Sequence, residues 1–149
     1  MTRREVVEDF LAQKELALVG ASRSGRKFGN TLFRELAAKG HIVHLVHPEA
    51  KEIAGIPCVP TLGDLPGGVG GLVLVVAPGK VEALVCEAAE AGIQRIWMQQ
   101  GSASPEAIRL CEEKGISLVH GECLLMFASP GGIHAFHRWL WGVLGKLPA

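Results

Sequence analysis

Residues 17–30 read Ala-Leu-Val-Gly-Ala-Ser-Arg-Ser-Gly-Arg-Lys-Phe-Gly-Asn and combine glycines, hydroxyls and three cations in one short span. Gly20 permits a tight turn. Backbone N–H groups around Ser22, and near Gly29 and Asn30, could face an anion, with Arg23, Arg26 and Lys27 adding positive charge. The spacing is G-x-S-x-x-G, with Ser22 where a dinucleotide fingerprint carries its middle glycine. A strand-to-helix turn with solvated basic side chains would read the same way, so the motif alone points to phosphate without naming the ligand. It is not the G-x-S-x-G elbow of hydrolases, and Ser22 is not read as a nucleophile.

A second group, His44-Leu45-Val46-His47-Pro48, stands where an NAD-binding chain places an acid for the ribose 2′-hydroxyl. Glu49 comes only after the proline. Pro48 offers a flat apolar surface to an adenine, while His47 and Lys51 suit a ribose phosphate better than a ribose hydroxyl; a strand simply stopped by proline is the plain alternative. His120-Gly121-Glu122-Cys123 brings imidazole, carboxylate and thiol together, but no second ligand cluster accompanies it. His134 and His137, three apart, read as a surface pair, and Trp97, Trp139 and Trp141 as core or interface residues. No catalytic or metal-ligating set is assigned.

The elements that must position these groups follow from the apolar pattern. Aliphatic runs recur at 16–19, 42–46, 72–76, 95–98 and 117–119, each bounded by turn residues. Helical spacing fills 30–39, 81–91 and 105–114, each followed closely by Gly40, Gly92 or Gly115, and Ser104-Pro105 reads as an N-cap with proline at the first helical position. Further helices are expected at 4–13 and 133–144, with turn chemistry and at most a short helix around 62–65 between 57 and 71. Continuous apolar strands separated by helices require crossovers and cover on both faces. The expectation is one Rossmann-like, doubly wound α/β domain over 1–149, with a five-stranded parallel sheet and helices on both faces. Its ligand should lie beyond the carboxyl ends of the strands, between the first and fourth runs.

Composition narrows the partners. Fifteen Lys+Arg balance fifteen Asp+Glu, so no net charge recruits nucleic acid or an anionic membrane. The apolar run 72–77 is far short of the roughly 20 residues that span a bilayer, and acidic residues at 5, 8, 9 and 15 interrupt any signal-peptide pattern. Four dispersed cysteines without a C-x-x-C pair read as free thiols, which places the chain in the cytoplasm.

Read in order, Val19-Gly20-Ala21-Ser22, Gly40-His41-Ile42-Val43 leading to Pro48, Gly55-Ile56-Pro57-Cys58-Val59, Val76-Ala77-Pro78, residues 88–92, Trp97-Met98-Gln99-Gln100-Gly101, Glu106-Ala107 and Gly115-Ile116 form a series. From about residue 15 to 125 the chain resembles the CoA-binding domain family, which includes stand-alone bacterial proteins and the N-terminal domain of the succinyl-CoA synthetase alpha subunit. The resemblance implies coenzyme A as ligand. Gly20, Ala21, Ser22 and Arg23 would hold the diphosphate, Pro48 would lie against the adenine and Lys51 would approach a phosphate. Ala77 and Pro78 would flank the pantetheine, Gln100 and Gly101 would line its exit, and Cys123 could face the CoA sulfur.

Stand-alone members often carry a Phe-Arg pair after the third strand, where this chain has Val75-Val76-Ala77-Pro78, closer to the synthetase. The synthetase's phosphorylated histidine belongs to a second domain for which these 149 residues leave no room, so its activity is not carried over. The expected function is binding of CoA or an acyl-CoA without a complete catalytic site, as a carrier, sensor or regulator in acyl-CoA metabolism. The alternative is an NAD(P)-binding oxidoreductase or acyl-CoA ligase component completed by a partner chain. A homo-oligomer or an enzyme partner fits either reading.

Overall fold

Strands without a polar face must be covered twice, and the computed structural model shows how for residues 3–128, the residues that it describes. In chain order the elements are α1 (Arg3–Leu11), β1 (Glu15–Val19), α2 (Phe28–Ala38), β2 (Ile42–Val46), β3 (Glu52–Ile53), β4 (Ile56–Val59), β5 (Gly71–Leu74), α3 (Val81–Glu90), β6 (Arg95–Met98), α4 (Pro105–Glu113), β7 (Ser117–His120) and α5 (Leu125–Ala128), with 3-10 turns at Leu62–Asp64 and Pro78–Lys80. The helix expected at 133–144, with His134, His137, Trp139 and Trp141, lies outside the described residues.

The α/β architecture is as expected, but the sheet has seven strands rather than five, in the order β3-β4-β2-β1-β5-β6-β7. All pairings are parallel except β3 with β4. Both additional strands hide from an apolar-run search: β3 is two residues long, and β4 contains Pro57 and Cys58. Ala54 and Gly55, at φ 50° and 81°, close the hairpin between them as a tight two-residue turn. Because β3 carries the chain back, β4 joins β2 in parallel without a crossover helix.

The second correction concerns the winding. β1 lies between β2 and β5, so the reversal falls between the first and third apolar runs, not the first and fourth. The β3–β4 excursion occupies the outer side of β2, which leaves the free edge of β1 to the next long strand.

Alternate strand residues face opposite layers. Leu16, Leu18, Leu45, Val73 and Trp97 pack with Phe10 of α1, Leu32 and Leu36 of α2, and residues 124–127. Ala17, Leu72, Leu74, Ile96 and Met98 pack with Val81, Val85 and Ala88 of α3 and with Ala107 and Cys111 of α4. Three helices end alike: the N–H groups of His41, Ile93 and Ile116 reach back to the carbonyls of Leu36, Ala88 and Cys111 at 3.1, 2.9 and 2.9 Å. Ser104 caps α4 as its sequence position predicts, accepting from the Ala107 N–H at 3.1 Å.

Trp97 anchors the first layer. Its ring meets Phe10 and Phe127 edge-on at centroid distances of 5.5 and 5.7 Å, and its indole N–H donates to the Glu122 carbonyl at 3.3 Å. The same Glu122 places a buried carboxylate 3.1 Å from the Arg3 guanidinium. Burial pushes the Glu122 carboxyl above its usual range, and Arg3 opposes the shift. The fold therefore favours the protonated acid, and the unfolded chain releases that proton first as pH rises. Stability from this group is present at acid pH and declines as pH rises upward from the ordinary value near 4.5. Glu122→Gln is expected to remove that decline from the denaturation midpoint measured across mildly acid to neutral pH. An unchanged pH profile would mean that Glu122 titrates normally in the fold.

Candidate functional site

Three backbone segments meet at the carboxyl end of β1. Gly20, at φ 131°, lies so close to Val75 that a Cβ would collide with the Val75 carbonyl, and a Cβ on Gly29 would collide with the carbonyl of Gly20. Glycine at both positions lets the first turn of α2 sit directly on the turn after β1 and against the end of β5. Buried Asn30 fixes the arrangement: its Oδ1 accepts from the Ser22 N–H at 2.9 Å, and its Nδ2 donates to the Ser22 carbonyl at 3.0 Å.

Some groups expected to face an anion are therefore already engaged. The Ser22 N–H belongs to Asn30, the Asn30 N–H donates to the Lys27 carbonyl at 3.0 Å, and the Ser24 and Arg26 N–H groups donate to the hydroxyls of Ser22 and Ser24, each at 3.2 Å. What opens outward is the start of α2. Lys27 at the N-cap position makes no side-chain cap, which leaves the helix's first N–H groups without the usual hydroxyl or carboxylate.

This helix start opens into a cleft of about 930 Å³ along the carboxyl edge of the sheet. It sits at the switch between β1 and β5, with α2 and α3 on opposite faces. Of the residues singled out from sequence, Gly20, Ala21, Ser22, Arg23, Lys27, His47, Pro48, Ala77, Gln100 and Gly101 line it. Arg26, Gly29, Lys51, Pro78 and Cys123 do not. Gly29 is the packing contact just described. Lys51 is exposed and leads into β3, its carbonyl accepting from the Cys58 N–H at 2.9 Å. Cys123 packs at the margin of the Trp97 layer.

The cleft also holds residues that the sequence reading did not assign to the site: Phe28, Glu49, Pro60, Lys80, Leu84, Glu87, Gln99 and Ser102 among them. Lys80, Leu84 and Glu87 fall at i, i+4 and i+7, a helical face legible in the sequence had a ligand been sought there. Pro60 follows the unrecognised β4 and could be placed only with it.

Several polar lining groups serve the protein's own backbone. His47 Nδ1 accepts from the Glu49 and Ala50 N–H groups at 3.1 and 2.9 Å, so Nε2 alone is left to donate. Gln99 Oε1 accepts from the Leu124 N–H at 3.0 Å, and Ser102 Oγ from the Val76 N–H at 3.1 Å. Arg23 reaches Glu49 across the cleft mouth at 3.3 Å, but both side chains are largely exposed, so the pair is weak and easily exchanged. Burial, and then Glu112, push the Cys111 thiol up to about 11, in keeping with a packing role. Among the described residues no group of three or more His, Cys, Asp or Glu could hold a metal ion, and no helix is long and apolar enough to cross a membrane.

A doubly wound sheet with an uncapped helix start opening into a cleft at its switch point defines a class of ligand-binding α/β domains. Residues 14–129 match the family described as CoA binding domain, and the chain belongs to that family. It is 28% identical over 131 residues to an ADP-forming acetate–CoA ligase of Archaeoglobus fulgidus, covering 80% of this chain but 19% of the ligase. A second ligase from that organism is also 28% identical and is covered to 20%, so the chain spans about a fifth of the length of these two ligases. Among solved structures, a conserved hypothetical protein from Pyrococcus furiosus is 37% identical with a TM-score of 0.72, over 75% of this chain and 97% of that one.

The close approach at Gly29 generates a direct test. Gly29→Ala forces the first turn of α2 away from Gly20, with an expected loss of about 1–3 kcal/mol in denaturant unfolding. A variant as stable as the parent would show that the loop yields without cost.

Proposed function

We propose that this chain binds CoA or an acyl-CoA in the cleft at the β1–β5 switch, without a complete catalytic site of its own. The observation that carries the reading is the uncapped first turn of α2, opening into the cleft beside Arg23 and Lys27 in a member of the CoA binding domain family. A diphosphate supplies the acceptors that this helix start lacks, and the helix dipole and two cations favour its charge. Gly20 and Ala21 keep the backbone low enough for close approach, and Ser22 contributes its hydroxyl rather than its N–H. Pro48 lies against the adenine. Ala77, Gln100 and Gly101 follow the pantetheine arm, whose two amides match the polar end of the cleft.

Lys80 replaces Lys51 as the cation suited to a further phosphate, since Lys80 lines the cleft and Lys51 does not. Carrier, sensor or regulator of acyl-CoA metabolism is the role that fits a binding domain of this kind. A ligase component completed by a partner chain is the second reading, supported by relatives in which the matching region is a fifth of a larger enzyme. For NAD, the acid expected at the end of β2 is missing, and Glu49 comes only after Pro48.

Calorimetric titration with CoA, dephospho-CoA, NAD and NADP tests the assignment. CoA is expected to bind most tightly, and Lys27→Ala to weaken it by about 1.5–3 kcal/mol, the range for a hydrogen bond to a charged group. The variant should keep its thermal midpoint, because Lys27 is an exposed side chain. Tighter binding of NAD or NADP, or wild-type affinity in Lys27→Ala, would refute the reading.

A further inference from the structure

From the start of α2 the cleft extends in two directions of different chemistry. Toward β6 it is lined by Gln99, Gln100, Gly101 and Ser102, whose amides and hydroxyl are polar. Toward β4 and α3 its walls include Val46, Pro48, Pro60 and Leu84, with Glu87, His47 and Lys80 among the polar side chains there. Val46 pairs with Val59 in the sheet, so Pro48 and Pro60 follow the ends of neighbouring strands, and both line the cleft. Leu84 and Glu87 are neighbours on one face of α3.

Glu87 is held in place. Its Oε1 accepts from the Leu62 N–H at 2.7 Å, tying α3 to the 3-10 turn after β4. That bond fixes the carboxylate and leaves Oε2 as an acceptor on a side chain that lines the cleft. A largely apolar slot with a fixed acceptor suits an aromatic ring that carries an amino group on its edge. Lys80 lies two helical turns away.

We infer that Glu87 reads the base of the bound nucleotide, accepting a hydrogen bond from the exocyclic 6-amino group of adenine held between the prolines and Leu84. The inference rests on the reading of the cleft as a CoA site and adds base specificity to it. A hypoxanthine base carries a carbonyl at that position and would set two acceptor oxygens against each other, so the site rejects it. The bond to Leu62 keeps the carboxylate from turning aside.

The test compares CoA, its deaminated analogue with hypoxanthine in place of adenine, and 4′-phosphopantetheine, which has no base, by titration of the wild-type chain and Glu87→Gln. Glutamine can keep the Leu62 contact through its Oε1 while presenting N–H donors in place of Oε2. The wild-type chain is expected to prefer CoA over the deaminated analogue about tenfold or more. In Glu87→Gln that preference should vanish or reverse, with phosphopantetheine binding unchanged.

Equal binding of the two CoA forms by the wild-type chain would overturn the assignment without recourse to any variant, as would a preference that survives in Glu87→Gln. In both cases the CoA reading stands. No binding of CoA by the wild-type chain would overturn both.

Discussion

The structure depends on a backbone contact that leaves no room for side chains. Gly29 sits on Gly20, and Gly20 sits on Val75, so the first turn of α2, the turn after β1 and the end of β5 share one small volume. Asn30, buried behind them, satisfies both the N–H and the carbonyl of Ser22. A helix held this close has its N-terminus aimed at the gap where the winding reverses. The place where an anion is favoured is thus set by sterics before any charged side chain contributes. The cleft follows from the same constraint, because α2 and α3 leave the two strands on either side of that gap toward opposite faces.

Around the cleft, polar groups divide between holding the protein together and facing outward. Asn30, His47 Nδ1, Gln99 Oε1, Ser102 Oγ and Glu87 Oε1 each accept from a backbone N–H in or beside a loop. These bonds satisfy donors that would otherwise be costly to bury, and they fix the walls in advance of binding. Arg23, Lys27, Lys80 and Gln100 are among the groups with freedom to meet a ligand, and the exposed Arg23–Glu49 pair can exchange partners at little cost.

The family accommodates this domain in different settings. In the Archaeoglobus ligases the matching region is a fifth of the protein, whereas in the Pyrococcus structure it is almost all of it. A fold and a binding cleft can be shared while the chemistry belongs to other domains, and the role of this chain is accordingly argued from its own cleft.

The sequence by itself determined the α/β class, five strands to within two residues, helix ends and caps, and the glycine-rich turn between β1 and α2. All of these rest on local pattern: apolar runs, glycines after helices, Ser104 before Pro105, and a glycine-rich stretch between strand and helix. Ten of the residues picked from sequence line the cleft, nine because they follow strand ends and Lys27 because it stands at the start of α2. Only the tertiary structure decided the rest. β3 and β4 exist because β2 offers an edge to pair with, not because their residues form an apolar run, and their presence moves the reversal to β5. The N–H of Ser22 and the whole imidazole of His47 looked available to a ligand because a sequence lists donors and acceptors without their partners. Glu87 lies about 40 residues from the end of β2 along the chain and reaches the cleft only because α3 packs against the turn after β4. Which polar groups are free is a property of three-dimensional pairing, and no local pattern carries it.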